Sequence, residues 1–194
     1  NVLSTISPSK SILGKAKVPN TFDKRCAIYE LSKLLGGLSI AEEPELIFND
    51  NSVLIKDKSS TQKIFYAAES NIKAPPENKV LTLPSNDVSI DFTEAQLTNV
   101  IRGAGVYGLP DIAFVGDGKS VNMQAFEAKN PNSNVYSIEI GHSDKKFKVI
   151  FKVENIIKLL SGSYHVDISS QFMARFTNDD FEYWVAVEST STFG

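Results

Sequence analysis

Residues 88–105 read VSIDFTEAQLTNVIRGAG, a stretch that predicts a strand running directly into a helix. Val88, Ile90 and Phe92 alternate with polar neighbours, which is the period of a half-buried strand. Thr93 and Gln96 have the Thr-x-x-Gln spacing of a capping box, so the helix is predicted to begin there. Hydrophobic residues then recur at the spacing of one helical face, namely Leu97, Val100, Ile101 and Ala104.

The predicted helix also carries a basic residue away from its hydrophobic face. Arg102 follows Leu97 by five positions, which places it on the polar side of a helix. Gly103 and Gly105 are predicted to end the helix, because glycine readily adopts the left-handed conformation of a C-cap. The stretch therefore predicts a helix with a hydrophobic inner face and a cationic outer face.

Composition limits the classes of protein that fit this chain. Its 194 residues are 42% hydrophobic and suffice for one large domain or two of about 100 residues. The net charge of -3 excludes a uniformly basic nucleic-acid-binding coat but permits a local basic face. Cys26 is the single cysteine, which excludes an internal disulfide and favours a reducing compartment. No hydrophobic run approaches the roughly 20 residues of a membrane span, and the start has no signal-peptide pattern.

No group of residues has the spacing of a catalytic or metal site. One cysteine and two histidines, His142 and His165, make a metal cofactor unexpected. Neither histidine lies in a nucleophile motif. The segment 116–118, Gly-Asp-Gly, predicts a hairpin turn rather than a phosphate-binding loop, since no Lys-Ser/Thr follows it in the required form. The sequence therefore predicts a non-enzymatic protein without a cofactor.

The order of predicted elements suggests two domains of the α+β class. Residues 1–70 are predicted to form a first domain and residues 86–194 a second. Residues 71–85 contain three prolines and no clear period, which is typical of an extended linker. In the first domain, residues 26–38 predict a strand that runs into a helix closed by two glycines. In the second, a helix is predicted from about Val153 to Leu160.

A short repeat links the two halves. Residues 33–37, KLLGG, match residues 158–162, KLLSG, at an offset of 125 residues. Each segment follows a predicted strand and precedes three more, which favours two copies of one folding unit. Lys33, Arg102 and Lys158 each follow the first apolar residue of their helix by five positions. Three predicted helices thus carry a cation at the same angular position.

The same offset applies to the helix that begins at Thr93. Its counterpart in the first half would fall before Asn1, so the repeat predicts that roughly 35 residues of the first domain precede this sequence.

At this point the chain resembles a known family, the sliding clamps of T-even-type tailed bacteriophages, which are DNA polymerase processivity factors. The stretches that carry the resemblance are CAIYELSKLLGGLSI (26–40), IDFTEAQLTNVIRGAG (90–105), FKVENIIKLLSGSYHVDIS (151–169) and EYWVAVESTSTF (182–193). The resemblance implies the DNA-clamp fold, with two similar domains of antiparallel sheets and helices on one face. The first domain would lack its first strand and helix.

The resemblance also implies a function. Three subunits of such a clamp form a head-to-tail ring that encircles duplex DNA without sequence preference and tethers the replicative DNA polymerase. An ATP-driven clamp loader would open the ring in the cytoplasm of the infected bacterium, and no membrane is involved. The alternative is a non-enzymatic binding or structural module that pairs through exposed strand edges without encircling DNA.

Two sets of residues are candidates for these roles. Cations on the inner helices would attract phosphate without reading sequence, which predicts that DNA faces Lys33, Arg102 and Lys158, with Lys152 and Lys10 as weaker candidates. Alternatively, these cations merely solvate polar helix faces. A hydrophobic pocket for partner tails is predicted from Ile72, Val80, Leu81, Leu83, Tyr107, Leu109 and Trp184. The alternative for this set is ordinary core and linker packing.

Overall fold

Antiparallel strands dominate the computed structural model, which describes residues 1–22, 24–75, 81–159 and 162–194. In chain order the first elements are β1 (Val2–Ile6), β2 (Ile12–Lys17), α1 (Leu31–Ile40), β3 (Glu45–Phe48), β4 (Ser52–Lys56) and β5 (Thr61–Phe65), followed by a 3-10 turn at Glu69–Asn71. Next come β6 (Val88–Phe92), α2 (Glu94–Tyr107), β7 (Asp111–Asp117), β8 (Ser120–Phe126), β9 (Tyr136–His142) and β10 (Lys146–Lys152). The last elements are α3 (Val153–Ile156), β11 (Tyr164–Ser169), β12 (Met173–Thr177), β13 (Phe181–Ala186) and β14 (Thr192–Phe193).

These strands form three sheets. The six-stranded sheet has the order β1-β2-β13-β12-β11-β6, and the five-stranded sheet has the order β14-β10-β7-β8-β9. The third sheet, β3-β4-β5, follows α1. All strand pairs described are antiparallel. The predicted α+β class and clamp-like arrangement of sheets are therefore confirmed.

The chain divides into two units at positions that differ from the predicted domain boundaries. One unit is essentially Pro19–Ala74, and the other combines Val2–Val18 with Pro75–Gly194. The sequence analysis assigned residues 1–18 to the first domain and residues 71–85 to a linker. Residues 2–18 group with the larger unit because β2 pairs with β13 over five residues, from Ile12 opposite Val185 to Ala16 opposite Phe181, whereas residues 71–74 belong to the smaller unit.

The predicted start of α2 is confirmed. The Gln96 backbone N–H donates to Thr93 Oγ1 at 3.3 Å, and the Thr93 backbone N–H donates to Gln96 Oε1 at 2.8 Å. The predicted end at Gly103 and Gly105 is wrong, because the helix runs to Tyr107 and its C-cap is Gly108 in the left-handed conformation at φ 64°. Gly103 instead allows α2 to pack closely, since a Cβ there would lie 2.5 Å from Cγ of Tyr136 in β9.

The other two helices also differ from their predicted bounds. Residues 26–30 form no strand, and α1 continues through Gly36 and Gly37 to Ile40. The α3 helix ends at Ile156 rather than near residue 160. After α3 the backbone winds more tightly, as in a 3-10 helix. The Lys158 N–H donates to the Asn155 carbonyl at 3.2 Å, and the Leu159 N–H donates to the Ile156 carbonyl at 3.1 Å. This tighter winding leaves Ile157 52% exposed and buries Leu159.

The larger unit is built on an aromatic core. Phe114 packs on Phe92 with ring centroids 5.8 Å apart and on Phe151 at 5.7 Å, and Phe151 packs on Phe176 at 5.7 Å. These rings come from both sheets of the unit, and residues of α2 and α3 join the same cluster. Both helices therefore cover the core-facing side of the five-stranded sheet. In the part of the chain described, no helix has the length and apolar character that a bilayer crossing requires.

We expect Gly103→Ala to destabilise the protein by about 1–3 kcal/mol, because the added methyl group must displace the buried face of Tyr136. Gly105→Ala is the matched control. A Cβ at Gly105 meets nothing within 4 Å, so the higher helix propensity of alanine should stabilise this variant by about 0.5–1 kcal/mol. Urea unfolding of both variants measures the difference, and equal stabilities would contradict the packing described for α2.

Candidate nucleic-acid interface

Arg102 on α2 and Lys158 just after α3 are the two predicted cations that lie on the same side of the larger unit. Their helices contribute Leu97, Val100 and Ile156 to one core cluster. Both cationic residues are exposed, and neither makes an ion pair with any described residue. Unpaired guanidinium and ammonium groups attract phosphate without selecting a base sequence.

Lys33 lies on α1 in the smaller unit. Its side chain is 69% exposed, and Nζ forms an ion pair with Glu30 Oε2 at 2.6 Å. An exposed pair of this kind is worth only about 0–1 kcal/mol, so it would yield readily to a phosphate group. The neighbouring apolar residues Leu31 and Leu35 are exposed, and each retains 56% of its accessible surface.

Lys152 has a structural environment that the sequence did not indicate. Its Nζ lies 2.6 Å from Oδ1 of Asp111, whose side chain is only 2% exposed. The hydrogen bond that Lys152 donates to Asp111 raises the pKa of Lys152 above its ordinary value despite partial burial. Asp111 Oδ2 also accepts a hydrogen bond from the Ala128 N–H at 2.8 Å. Lys152 thus neutralises the buried carboxylate of Asp111. Its attraction for phosphate is therefore weaker than that of Arg102 or Lys158.

Lys10 occupies the tip of the β1–β2 turn, in the left-handed conformation at φ 59°. The turn is fixed by a hydrogen bond from the Lys10 N–H to the Ser7 carbonyl at 2.8 Å. Next to it, Ser11 Oγ donates to Oδ1 of Asn155 in α3 at 3.1 Å. Lys10 is therefore held near α3 and remains exposed.

The residues predicted to form a partner pocket differ in their environments. Leu109 belongs to the aromatic core, which agrees with the alternative of ordinary packing. Tyr107 is 53% exposed at the end of α2, and Ile72 lies in the smaller unit. Leu81 and Leu83 are partly buried, whereas Val80 lies outside the described residues. Trp184 is buried outside the aromatic core, on a different surface of the larger unit.

Trp184 is buried on the face of the six-stranded sheet that turns away from the aromatic core. Its neighbours Tyr183 and Val185 belong to that core, whereas Trp184 and its register partner Leu13 do not. Arg175 covers the indole, with Cζ 5.7 Å from the ring centroid. We call this group, with Glu182 and Lys15 beside it, the Trp184 cluster: Leu13, Lys15, Arg175, Glu182 and Trp184.

Phe172 flanks the Trp184 cluster and was missed by the sequence analysis. It lies in the β11–β12 turn at φ 61°, a conformation that bulky residues rarely adopt. The Phe172 side chain is 43% exposed, and its carbonyl accepts a hydrogen bond from the Val187 N–H at 3.0 Å. The sequence contains no signal for it, since Phe172 takes no part in any period or motif.

The same face also holds a histidine between two carboxylates. His165 Nδ1 lies 2.8 Å from Asp91 Oδ1, and Nε2 lies 3.2 Å from Asp167 Oδ1. The hydrogen bond to Asp91 is the main cause that raises the pKa of His165, against a partial desolvation. This arrangement links strands β6 and β11.

Replacing Lys152 should separate its structural role from a role in DNA binding. We expect Lys152→Met to destabilise the protein by about 2–3 kcal/mol, because the carboxylate of Asp111 would remain buried without its cation. Lys158→Met is the matched control and should change the free energy of unfolding by less than about 0.5 kcal/mol. Urea unfolding measures both, and a Lys152→Met variant as stable as the control would contradict the assignment.

Comparison with known proteins finds similarity to phage sliding clamps. No family model matches the chain. It is 26% identical over 180 residues to the sliding clamp of Vibrio phage KVP40 and 27% identical over 188 residues to the sliding clamp of Enterobacteria phage T4. These alignments cover 90% and 92% of this chain and 81% of each relative.

Solved structures share the fold at lower identity. The PCNA of A. fulgidus, solved with the C-terminal region of FEN-1, aligns over 97% of this chain and 85% of its own at a TM-score of 0.68 and 17% identity. The beta clamp of Helicobacter pylori aligns over 96% of this chain and 56% of its own at a TM-score of 0.64 and 14% identity. The chain is therefore similar to the sliding clamps of two phages along about nine-tenths of its length, and it shares the fold of PCNA and the beta clamp.

Proposed function

We propose that this chain is one subunit of a ring that encircles duplex DNA and tethers the replicative DNA polymerase for processive synthesis. The observation that carries the proposal is similarity to phage sliding clamps along about nine-tenths of the chain. This similarity favours a clamp over an isolated module that pairs through strand edges. A clamp needs no chemical step, so its work rests on topology and on weak attraction to the DNA backbone.

The internal order of elements suggests how copies assemble. In the larger unit β9 precedes β10, α3 and three strands that end in β13, and β2 likewise precedes α1 and three strands that end in β5. At the 125-residue offset of the repeat, β2 falls on β9. β5 and β13 correspond because each is the third strand after its helix. Since β2 pairs with β13 within the chain, the same rule pairs β9 of one copy with β5 of the next. A head-to-tail contact of this kind closes a ring when the rotation is right.

Both strands are available for such a contact. β9 ends the five-stranded sheet and β5 ends the three-stranded sheet, so each has an edge without a described partner strand. An antiparallel pairing that centres one strand on the other sets Glu139 opposite Lys63, both exposed, and Ile138 opposite Ile64, both partly buried. Opposite charges then face each other outside and hydrophobic side chains inside. We infer a homotrimer from the stoichiometry that the family resemblance implies.

DNA would contact the helix side of the ring. Arg102 and Lys158 would supply most of the attraction in the larger unit and Lys33 in the smaller one, with Lys10 close to α3 and Lys152 largely committed to Asp111. Contacts to phosphate that carry no sequence information allow the ring to slide. An ATP-driven loader would open the ring, and the setting would be the cytoplasm of the infected bacterium.

Partner proteins would dock on the Trp184 cluster rather than near Leu109, which is core. Solved clamps of the same fold include A. fulgidus PCNA with the C-terminal region of FEN-1 and the Helicobacter pylori beta clamp with a DNA ligase peptide. A buried tryptophan beside the exposed Phe172 offers an anchor for the hydrophobic segment of such a tail.

Reversing the helix cations should weaken DNA retention. We expect Arg102→Glu combined with Lys158→Glu to reduce retention on nicked circular DNA at least tenfold at low salt, because two phosphate-attracting charges per subunit become repulsive. Lys129→Glu, in an exposed loop outside the helices, is the control and should retain DNA normally. Gel filtration of loader-treated complexes measures retention, and linearising the DNA should release every variant. Unchanged retention of the double variant would contradict the assignment of these helices to DNA.

Exchanging the two edge charges should test the ring contact. Glu139→Lys or Lys63→Glu alone should weaken trimer formation, because like charges opposite each other destabilise a strand pair by about 0.2–1 kcal/mol at every interface. The two changes together should restore the trimer. Light scattering across a dilution series measures assembly, with Glu127→Lys as an exposed control off the edge. Failure of the double exchange to recover assembly would refute this register.

A further inference from the structure

Arg175 has a hydrogen-bond donor that the described structure does not use. Its Nη2 donates to Glu182 Oε2 at 2.9 Å, whereas the buried Nε has no hydrogen-bond partner. The side chain is nevertheless 39% exposed, so a ligand can reach the guanidinium from solvent. Buried polar groups without partners are uncommon in folded proteins. Arg175 therefore has a buried Nε without an acceptor, and only the exposed part of its side chain can meet a ligand.

Glu182 cannot satisfy the donors around it. Its Oε1 accepts a hydrogen bond from Trp184 Nε1 at 2.8 Å and lies 3.4 Å from Lys15 Nζ, while Oε2 accepts from Arg175. One carboxylate is thus shared by two cations and an indole N–H. The Trp184 cluster carries a net positive charge of one, which an anionic ligand would neutralise.

The next carboxylate on this face is already occupied. Asp167 stands opposite Arg175 in the β11–β12 register, but its Oδ1 accepts hydrogen bonds from Ser89 at 2.8 Å and Asn86 at 2.8 Å and lies 3.2 Å from His165 Nε2. Because these three partners engage Asp167 Oδ1, the carboxylate does not neutralise the charge of Arg175. No printed ion pair among the described residues joins Asp167 to Arg175.

Hydrophobic surface adjoins this positive site. Phe172 is 43% exposed at the start of β12, and Met173 faces the same side of the sheet as Arg175. Met173 and Arg175 are two residues apart in β12, which in a strand corresponds to about 7 Å and puts both side chains on one face. In an extended peptide, side chains two residues apart span the same distance and also share a face. The spacing matches a ligand that carries an apolar side chain and an acidic side chain at such a separation.

We propose that the Trp184 cluster recognises an acidic peptide segment. An Asp or Glu side chain of the segment accepts hydrogen bonds from Arg175 and Lys15, while an aromatic or aliphatic side chain two residues away packs on Met173 and the exposed Phe172 next to it in the chain. The inference rests on the docking function proposed above and adds the chemistry that selects the partner. Ring assembly and DNA retention involve other surfaces, so they are measured separately and can fail independently.

Trp184 is the single tryptophan of the chain, and its fluorescence reports on the site directly. The probes are two acetylated and amidated hexapeptides that differ only in carrying Asp or Asn two residues from a Phe. We expect the Asp peptide to bind about 3- to 10-fold more tightly, as for a partly exposed charge-assisted contact. Equal affinities, or no binding of either peptide, would overturn the proposal.

Substitutions in the Trp184 cluster test which residues cause the preference for the Asp peptide. Arg175→Gln should abolish the preference for Asp over Asn, and Lys15→Gln, which changes a more peripheral side chain, should reduce it. Glu182→Gln removes the competing carboxylate and should increase the preference. A preference unchanged in Arg175→Gln and Lys15→Gln would overturn the assignment. A third probe, the Asn peptide with a free C-terminal carboxylate, should bind like its amidated form; binding as tight as that of the Asp peptide would contradict a side-chain ligand.

Discussion

Backbone pairing between β2 and β13 is the contact on which the functional surfaces of the larger unit depend. It extends the sheet of the second half with strands from the beginning of the chain. The same pairing sets Leu13 beside Trp184 and Lys15 beside Glu182. It also brings Ser11 to Asn155 in α3. One ladder thus assembles the Trp184 cluster and positions the turn that carries Lys10.

This ladder also explains how a single chain can specify a larger assembly. A strand edge offers a row of unpaired N–H and C=O groups, and this chain covers one such edge with its own β2. The corresponding edges at β9 and β5 have no described partner strand within the chain. Pairing them between copies repeats an interaction that the fold already contains, so assembly requires no new type of contact.

The cations of the protein divide into two groups according to their partners. Arg102 on α2 and Lys158 just after α3 have no described ion-pair partner, and we propose that such loosely held charge attracts phosphate without fixing the ring at one place. Lys152 and Arg175 instead pair with Asp111 and Glu182 on strands. Paired cations have fixed positions, which suits structural support and the recognition of a defined ligand. Residue type alone does not separate these groups, because pairing depends on strands far apart in sequence.

The sequence by itself determined the element order, most strand bounds, the capping box of α2 and the resemblance to sliding clamps. These features are encoded in local periods and in neighbours three or four residues apart, which act before any tertiary contact forms. Only the tertiary structure decided the role of Gly103 against Tyr136, the early end of α3, the transfer of residues 2–18 to the larger unit and the Trp184 cluster. Each of these depends on contacts between residues distant in the chain. Local sequence patterns do not specify which distant side chains will be in contact.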